Sequence, residues 1–405
     1  MDHIWLKTAL ERYQKSNYST IEWILSRAPL SGGFLDTKVN CLTGESYTDA
    51  SHLRGPKFTY GWIQGRGLES IIAFANFYSE VDPDLSRRLL IRAKDLFESL
   101  RLLYERNGHI NFLYNANFQA IRIAESGIVK QSREGNLFVY ADAFAAKGLF
   151  AAATIFAPKE VDLYRHYLFE VIEAIQDDRF QINENNPISR SFIAQESDDF
   201  APRTILLGAA GLLHRHNYSS VTIFADNFID YILENHYQTE SSFLLNSLNN
   251  DICNVGHSIE FCGFALDHYT YQGEGNSQKL VKVIEILRKS LVTGIKDPGI
   301  PLFLSTKSGE TSSKYFPWWP LPEAIRACAL AQIFKPETEL FNLWKQADEA
   351  FFKNYWIPGR GYAYQTRDKY GPVDYVPATP DLDPGYHTGL SLLKAIQIIR
   401  CHLLN

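Results

Sequence analysis

What these 405 residues lack narrows the field before any motif is read. Five cysteines, Cys41, Cys253, Cys262, Cys328 and Cys401, form an odd, widely spaced set without a CxxC pair, which excludes a disulfide framework and fits a reducing cytoplasm. No stretch approaches the roughly 20 apolar residues of a membrane helix. The opening Met1-Asp2-His3-Ile4-Trp5-Leu6-Lys7 has no apolar run of signal-peptide length, so neither secretion nor membrane insertion is expected. Lys and Arg are scattered and the formal net charge is -6, leaving no footprint for a nucleic acid or an anionic membrane. A small molecule is the expected partner. There is no P-loop, no GxGxxG after a strand and no HExxH-like spacing, so no nucleotide, nicotinamide or metal cofactor is expected. A homodimer is compatible with the sequence, which does not set the oligomeric state.

What is present is a long, 45% hydrophobic chain able to bury a large core, with 14% aromatic residues. Aromatic rings suit sugar faces, although core burial is their commoner use. Apolar periodicity marks twelve helical segments, near 4–16, 62–80, 84–107, 138–156, 159–178, 202–216, 218–236, 257–271, 275–291, 318–333, 336–354 and 385–402. A long connection precedes each even-numbered segment and a short one follows it, such as Ser79-Glu80-Val81-Asp82-Pro83-Asp84 or Pro158-Lys159. The reading is six helical hairpins in series within a single domain, 1–405. Gly32-Gly33-Phe34-Leu35-Asp36 and Gly359-Arg360-Gly361-Tyr362-Ala363-Tyr364, in long connections, carry the signals of short β-hairpins at one end of the molecule.

Even-numbered segments are rich in small residues, as in Ala143-Phe144-Ala145-Ala146-Lys147-Gly148-Leu149 and Leu206-Leu207-Gly208-Ala209-Ala210-Gly211-Leu212. Odd-numbered ones, such as 89–104 and 280–291, are amphipathic. The expectation is an all-α fold, an (α/α)6 barrel with an inner and an outer ring of helices. A helical solenoid fits the same periodicity, which does not contain ring closure.

The unusual residues collect at the starts of the even segments: Gln64 and Arg66; Tyr140 and Asp142; Arg203; His257 and Glu260; Trp318, Trp319 and Glu323; Tyr386 and His387. Converging at one end, these starts would line one pocket with helix N-termini pointing into it. Each residue also has a structural alternative. Asp142 and Tyr140 stand evenly between helix capping and site lining. At least one of Trp318 and Trp319 is expected in the core, and Arg66 could pair with Glu69 three residues on. His214, His216, His236 and His268, read as lying toward helix ends or exposed faces, receive no role.

In these residues the chain resembles the N-acylglucosamine 2-epimerase and cellobiose 2-epimerase superfamily, over nearly its whole length and in the correct order. The motifs that carry the resemblance are Trp62-Ile63-Gln64-Gly65-Arg66, Gly256-His257-Ser258-Ile259-Glu260, Trp318-Trp319-Pro320-Leu321-Pro322-Glu323 and Tyr386-His387. The resemblance implies an (α/α)6 barrel with His257 and His387 as general acid and base and Arg66 stabilising an oxyanion. It implies Glu260 and Glu323 as hydroxyl or histidine partners, and Trp319 as a stacking platform. The chain departs from the family at Gly67, where Gln is usual, and at Thr388-Gly389, where Pro commonly follows the late His. At Pro202-Arg203-Thr204 it lacks the further His of the superfamily's isomerases and cellobiose epimerases, a His that N-acylglucosamine epimerases also lack.

Inversion at carbon 2 of an open-chain sugar asks for two groups of near-neutral pKa, one on each face, and histidine, near 6.5 unperturbed, meets that need. The expected activity is a 2-epimerase acting on a free aldose or an N-acetylhexosamine. An aldose–ketose isomerase would use the same enediolate. A glycosidase using paired carboxylates from among Asp142, Glu260, Glu323 and Asp383, or a sugar-binding protein without catalysis, are the more remote readings.

Overall fold

The computed structural model describes residues 2–49, 52–248, 250–273, 278–375 and 379–404. The chain divides into two compact units. The first is Ile21–Glu196 with Pro377–Tyr386; the second is Met1–Thr20, Ser197–Val376 and His387–Asn405.

In the first unit the principal helices are α2 (Gly61–Tyr78), α3 (Pro83–Asn107), α4 (Tyr140–Phe156) and α5 (Val161–Gln176), followed by the single turn α6 (Arg190–Ile193). Helix α4 is buried without interruption from Tyr140 to Ala153, as its run of small and apolar residues requires. It packs on α2 with the two backbones almost touching. A Cβ on Gly65 would lie 2.6 Å from Ala145 N, and one on Gly148 2.6 Å from Gly65 O, so both positions need glycine. Helix α3 is amphipathic and buries Leu85, Leu89, Ala93, Leu96, Leu100 and Leu103, while Asp82 caps it through Leu85 N and Pro83 opens its first turn. A four-stranded antiparallel sheet, Thr59–Tyr60, Leu113–Tyr114, Ala120–Ala124 and Gly127–Lys130, fills the connections around α2 and α4.

The second unit carries α7 (Ala201–Arg215), α8 (Ile223–Asn235), α9 (Val255–Gln272), α10 (Gln278–Gly294), α11 (Pro320–Phe334), α12 (Thr338–Asn354) and α13 (Ser391–Ile398). Helices α7, α9, α11 and α13 pack side by side in that order, and α8, α10 and α12 lay their apolar faces against them. Helix α13 is entered through a π turn, Tyr386–Leu390, and left through another, Ile399–Leu403. Such widened turns often accompany functional sites.

The periodic segments of the sequence all reappear as helices, with two local corrections. Helix α1 spans His3–Ser26 instead of stopping near 16. Polar residues just past that point have tertiary partners: Asn17 Nδ2 donates to Gly389 O (3.1 Å) and Thr20 Oγ1 to Gly361 O (2.8 Å). The expected hairpin at 32–36 is a 3-10 turn, Ser31–Gly33, followed by extended chain, and at 359–364 there is a single bridge, Trp356 to Ala363. The hairpin built of full strands, Ala120–Ala124 with Gly127–Lys130, follows α3.

Candidate active site

In the second unit the local chain explains how each histidine is held. Asn254 caps α9 by accepting from His257 N (3.2 Å), which puts His257 in the first turn of the helix. The residue before it, Gly256, is where the Trp319 indole packs. A Cβ there would lie 2.2 Å from the Trp319 ring, so only glycine admits the contact. Trp319 then lies against both imidazoles, its centroid 5.4 Å from that of His257 and 5.3 Å from that of His387, tilted 36° to each. One indole thus serves as the common wall of the two titratable rings.

His387 stands in the π turn, with its Nδ1 3.1 Å from Glu323 Oε1 and 4.0 Å from Glu260 Oε1. Trp318 is buried, donates through Nε1 to Thr388 Oγ1 (3.2 Å) and meets the His387 ring edge-on at 82°. Of the two tryptophans, Trp318 is therefore the core member and Trp319 the wall. Glu323 is fully buried, which alone would raise its pKa, but the Arg326 guanidinium on its second oxygen and the His387 bond hold it below the usual carboxylate range. The ligand atoms of Glu260, Glu323 and His387 lie within 4.8 Å of one another, a spacing a small cation could use. The cation the chain itself supplies there is Arg326.

Arg203, in the first turn of α7, lies 3.6 Å from the Tyr231 ring centroid and 3.4 Å from Asp198 Oδ1. Hydrogen bonds from His236 and Tyr231, with Arg203 nearby, outweigh burial and hold the Asp198 carboxyl at about 2. His236 is wholly buried in this cluster, and Phe200 makes edge contacts with both His236 and His257. His214 and His268 are buried as well, joined Nε2 to Nδ1 at 3.0 Å, with Asp226 3.3 Å beyond. His214 and His236 do lie at helix ends, but none of His214, His236 and His268 is on an exposed face: each is buried and paired inside the unit, a partnership that helical spacing does not reveal.

The first unit holds the fixed charges. The Arg66 guanidinium lies over three rings, with centroids at 4.0 Å (Phe144), 5.2 Å (Trp62) and 5.3 Å (Tyr386). Glu69 pairs with Lys147, whose Nζ is 3.1 Å away and donates to the Tyr386 hydroxyl at 2.6 Å. Gln64 and Asp142 have structural employment. Gln64 accepts from Leu35 N (2.8 Å) and donates to Leu35 O (3.1 Å), clamping the extended chain beside α2. Asp142 accepts from Val139 N, Ile110 N, Tyr167 Oη and Arg133. Burial opposes ionisation of Asp142, yet Arg133 and His109 prevail and its pKa falls to about 2. Tyr140 packs edge-on against Trp62 at 5.4 Å.

Three residues of these clusters escape a reading of the sequence. Lys147 and Arg326 are the single basic residues of the buried helices α4 and α11, a signal the sequence carries. Glu184 follows Asn183 and precedes Asn185-Asn186 as an ordinary polar turn would, yet its side chain is buried and accepts from Trp62 Nε1 (2.5 Å) and Ala141 N (3.1 Å). Burial raises its pKa to about 8.

No protein-family model and no curated protein sequence matches the chain. Solved structures do. Cellobiose 2-epimerase from Bacillus thermoamylovorans matches with 15% identity and a TM-score of 0.76 over 96% of this chain and 99% of its own. A D-mannose isomerase matches with 12% identity and a TM-score of 0.72, over 96% and 97%. The α-1,6-mannanase from Salegentibacter sp. is more distant, at 11% identity and a TM-score of 0.53 over 96% and 99%. The likeness shows the fold: the chain shares the all-α (α/α)6 fold of these proteins along almost its whole length.

Proposed function

We propose that the protein is a sugar 2-epimerase, similar to the N-acylglucosamine and cellobiose 2-epimerases, that inverts carbon 2 of a free aldose or N-acetylhexosamine. The observation that carries this reading is the pair of imidazoles sharing the Trp319 wall, one at a helix N-terminus and the other backed by Glu323. One ring removes the C2 proton of the open-chain sugar, and the electron pair moves through C1 onto the carbonyl oxygen as an enediolate. The other ring then returns a proton to the opposite face. Since His387 Nδ1 is engaged with Glu323, its Nε2 is the atom that exchanges the proton with carbon. Arg66, carried over by its motif, balances the charge that grows on oxygen. Trp319 offers its face to the sugar, while Glu260 and Arg203 supply contacts to its substituents. The scheme moves only protons and needs no metal or organic cofactor.

An aldose–ketose isomerase is the second reading, favoured by the likeness to D-mannose isomerase. It would return the proton to C1 instead. A glycosidase fits less well, because Glu260 and Glu323 both approach the same nitrogen of His387 and Glu323 is tied to Arg326. Incubation with a panel of free aldoses and N-acetylhexosamines in D2O, read by NMR, separates the cases. Deuterium at C2 of both epimers with little ketose is the expected result; ketose as the main product, labelled at C1, would establish the isomerase.

A further inference from the structure

We propose that Arg326 is a positioning residue for His387, acting through Glu323. Arg326 is 7% exposed and sits one turn beyond Glu323 on α11, so helix spacing alone aims it at the carboxylate. It forms an ion pair with Glu323 Oε2 while Oε1 faces His387 Nδ1 at 3.1 Å, so the two oxygens have separate partners and the charge on Oε2 holds the carboxylate in the orientation that serves the imidazole. The guanidinium is itself seated by α9. Its Cζ lies 4.0 Å from the Phe264 ring centroid, and a Cβ on Gly263 would come within 3.0 Å of its Nε. Gly263 and Phe264 therefore form a cradle for this side chain.

The charges that face His387 within the unit include Glu260 from α9 and Glu323 from α11, with His257 across the Trp319 ring. With two carboxylates near one imidazole, a single fixed cation limits how strongly they favour imidazolium. Arg326 thus does two things: it fixes the direction of the Glu323–His387 bond, and it offsets part of the carboxylate charge beside the ring.

The inference rests on the epimerase reading only where turnover is measured. In Arg326→Met the NMR titration midpoint of the His387 ring, followed without substrate, should move up by about one unit, because a neighbouring cation is removed. The kcat should fall at least about tenfold with KM little changed, through loss of alignment. Arg326→Lys keeps the charge but loses the fork, so the midpoint should stay near wild type while kcat still falls. A folded Arg326→Met with an unmoved midpoint would overturn the proposal. If that variant does not fold, Arg326→Lys decides it, and wild-type kcat there would overturn it too. The substrate-free titration stands even if the protein proves not to be an epimerase.

Discussion

The two units handle charge differently. The first keeps its cations permanent: Arg66 lies over aromatic rings, Lys147 is shared by Glu69 and Tyr386, and Arg133 is locked on Asp142. The second sets imidazoles against a shared indole and against one another, with His257 and His387 on Trp319 and the buried pair His214–His268. The proposed proton transfer asks for both kinds of group, since its carriers must titrate and the cation that balances the enediolate must not. A fixed cation can tolerate an aromatic bed, where little depends on its pKa. A titrating ring needs a partner that fixes one nitrogen and leaves the other to exchange a proton.

That contrast can be broken most severely in the second unit. His257→Asn or His387→Asn should lower turnover by a factor on the order of 10³ while far-ultraviolet circular dichroism is preserved. Either variant keeping a tenth of wild-type activity would remove that ring from the mechanism. In the first unit, Arg66→Met should cost on the order of 10² in kcat, with Arg66→Lys recovering part of it. An Arg66→Met effect confined to KM would reassign Arg66 to ground-state binding. A smaller, purely structural effect is expected at Asp142, whose carboxyl lies at about 2 in the fold against an ordinary 3.8. A depressed carboxylate stabilises the fold above its unfolded pKa and loses that contribution as pH falls through the folded one. The contribution, about 2 kcal/mol, should therefore be present above pH ~4 and disappear by pH ~2. Asp142→Asn should flatten that part of the pH dependence of urea unfolding; an unchanged profile would show that Arg133 does not depend on the Asp142 charge.

The sequence by itself determined the helices and the candidate residues at their starts, because both rest on local rules. Periodicity places the apolar face of α3 or α10, and Gly256-His257 announces a helix entry without reference to any distant residue. The family resemblance came from the same short-range information, four motifs in order. Only the tertiary structure decided which side chains were already employed. Gln64 and Asp142 share a helix start with Arg66 and Tyr140, yet Leu35 takes the amide of one and Arg133 the carboxylate of the other. Helix α1 continues past Asn17 and Thr20 because carbonyls some 340 to 370 residues away accept their hydrogen bonds. Glu184 shows the limit most clearly, since nothing in an Asn-rich turn foretells a buried acid bonded to Trp62. Whether a polar residue caps, pairs or reacts depends on what the fold brings within about 3 Å of it, and that distance is set by packing between segments far apart in the chain.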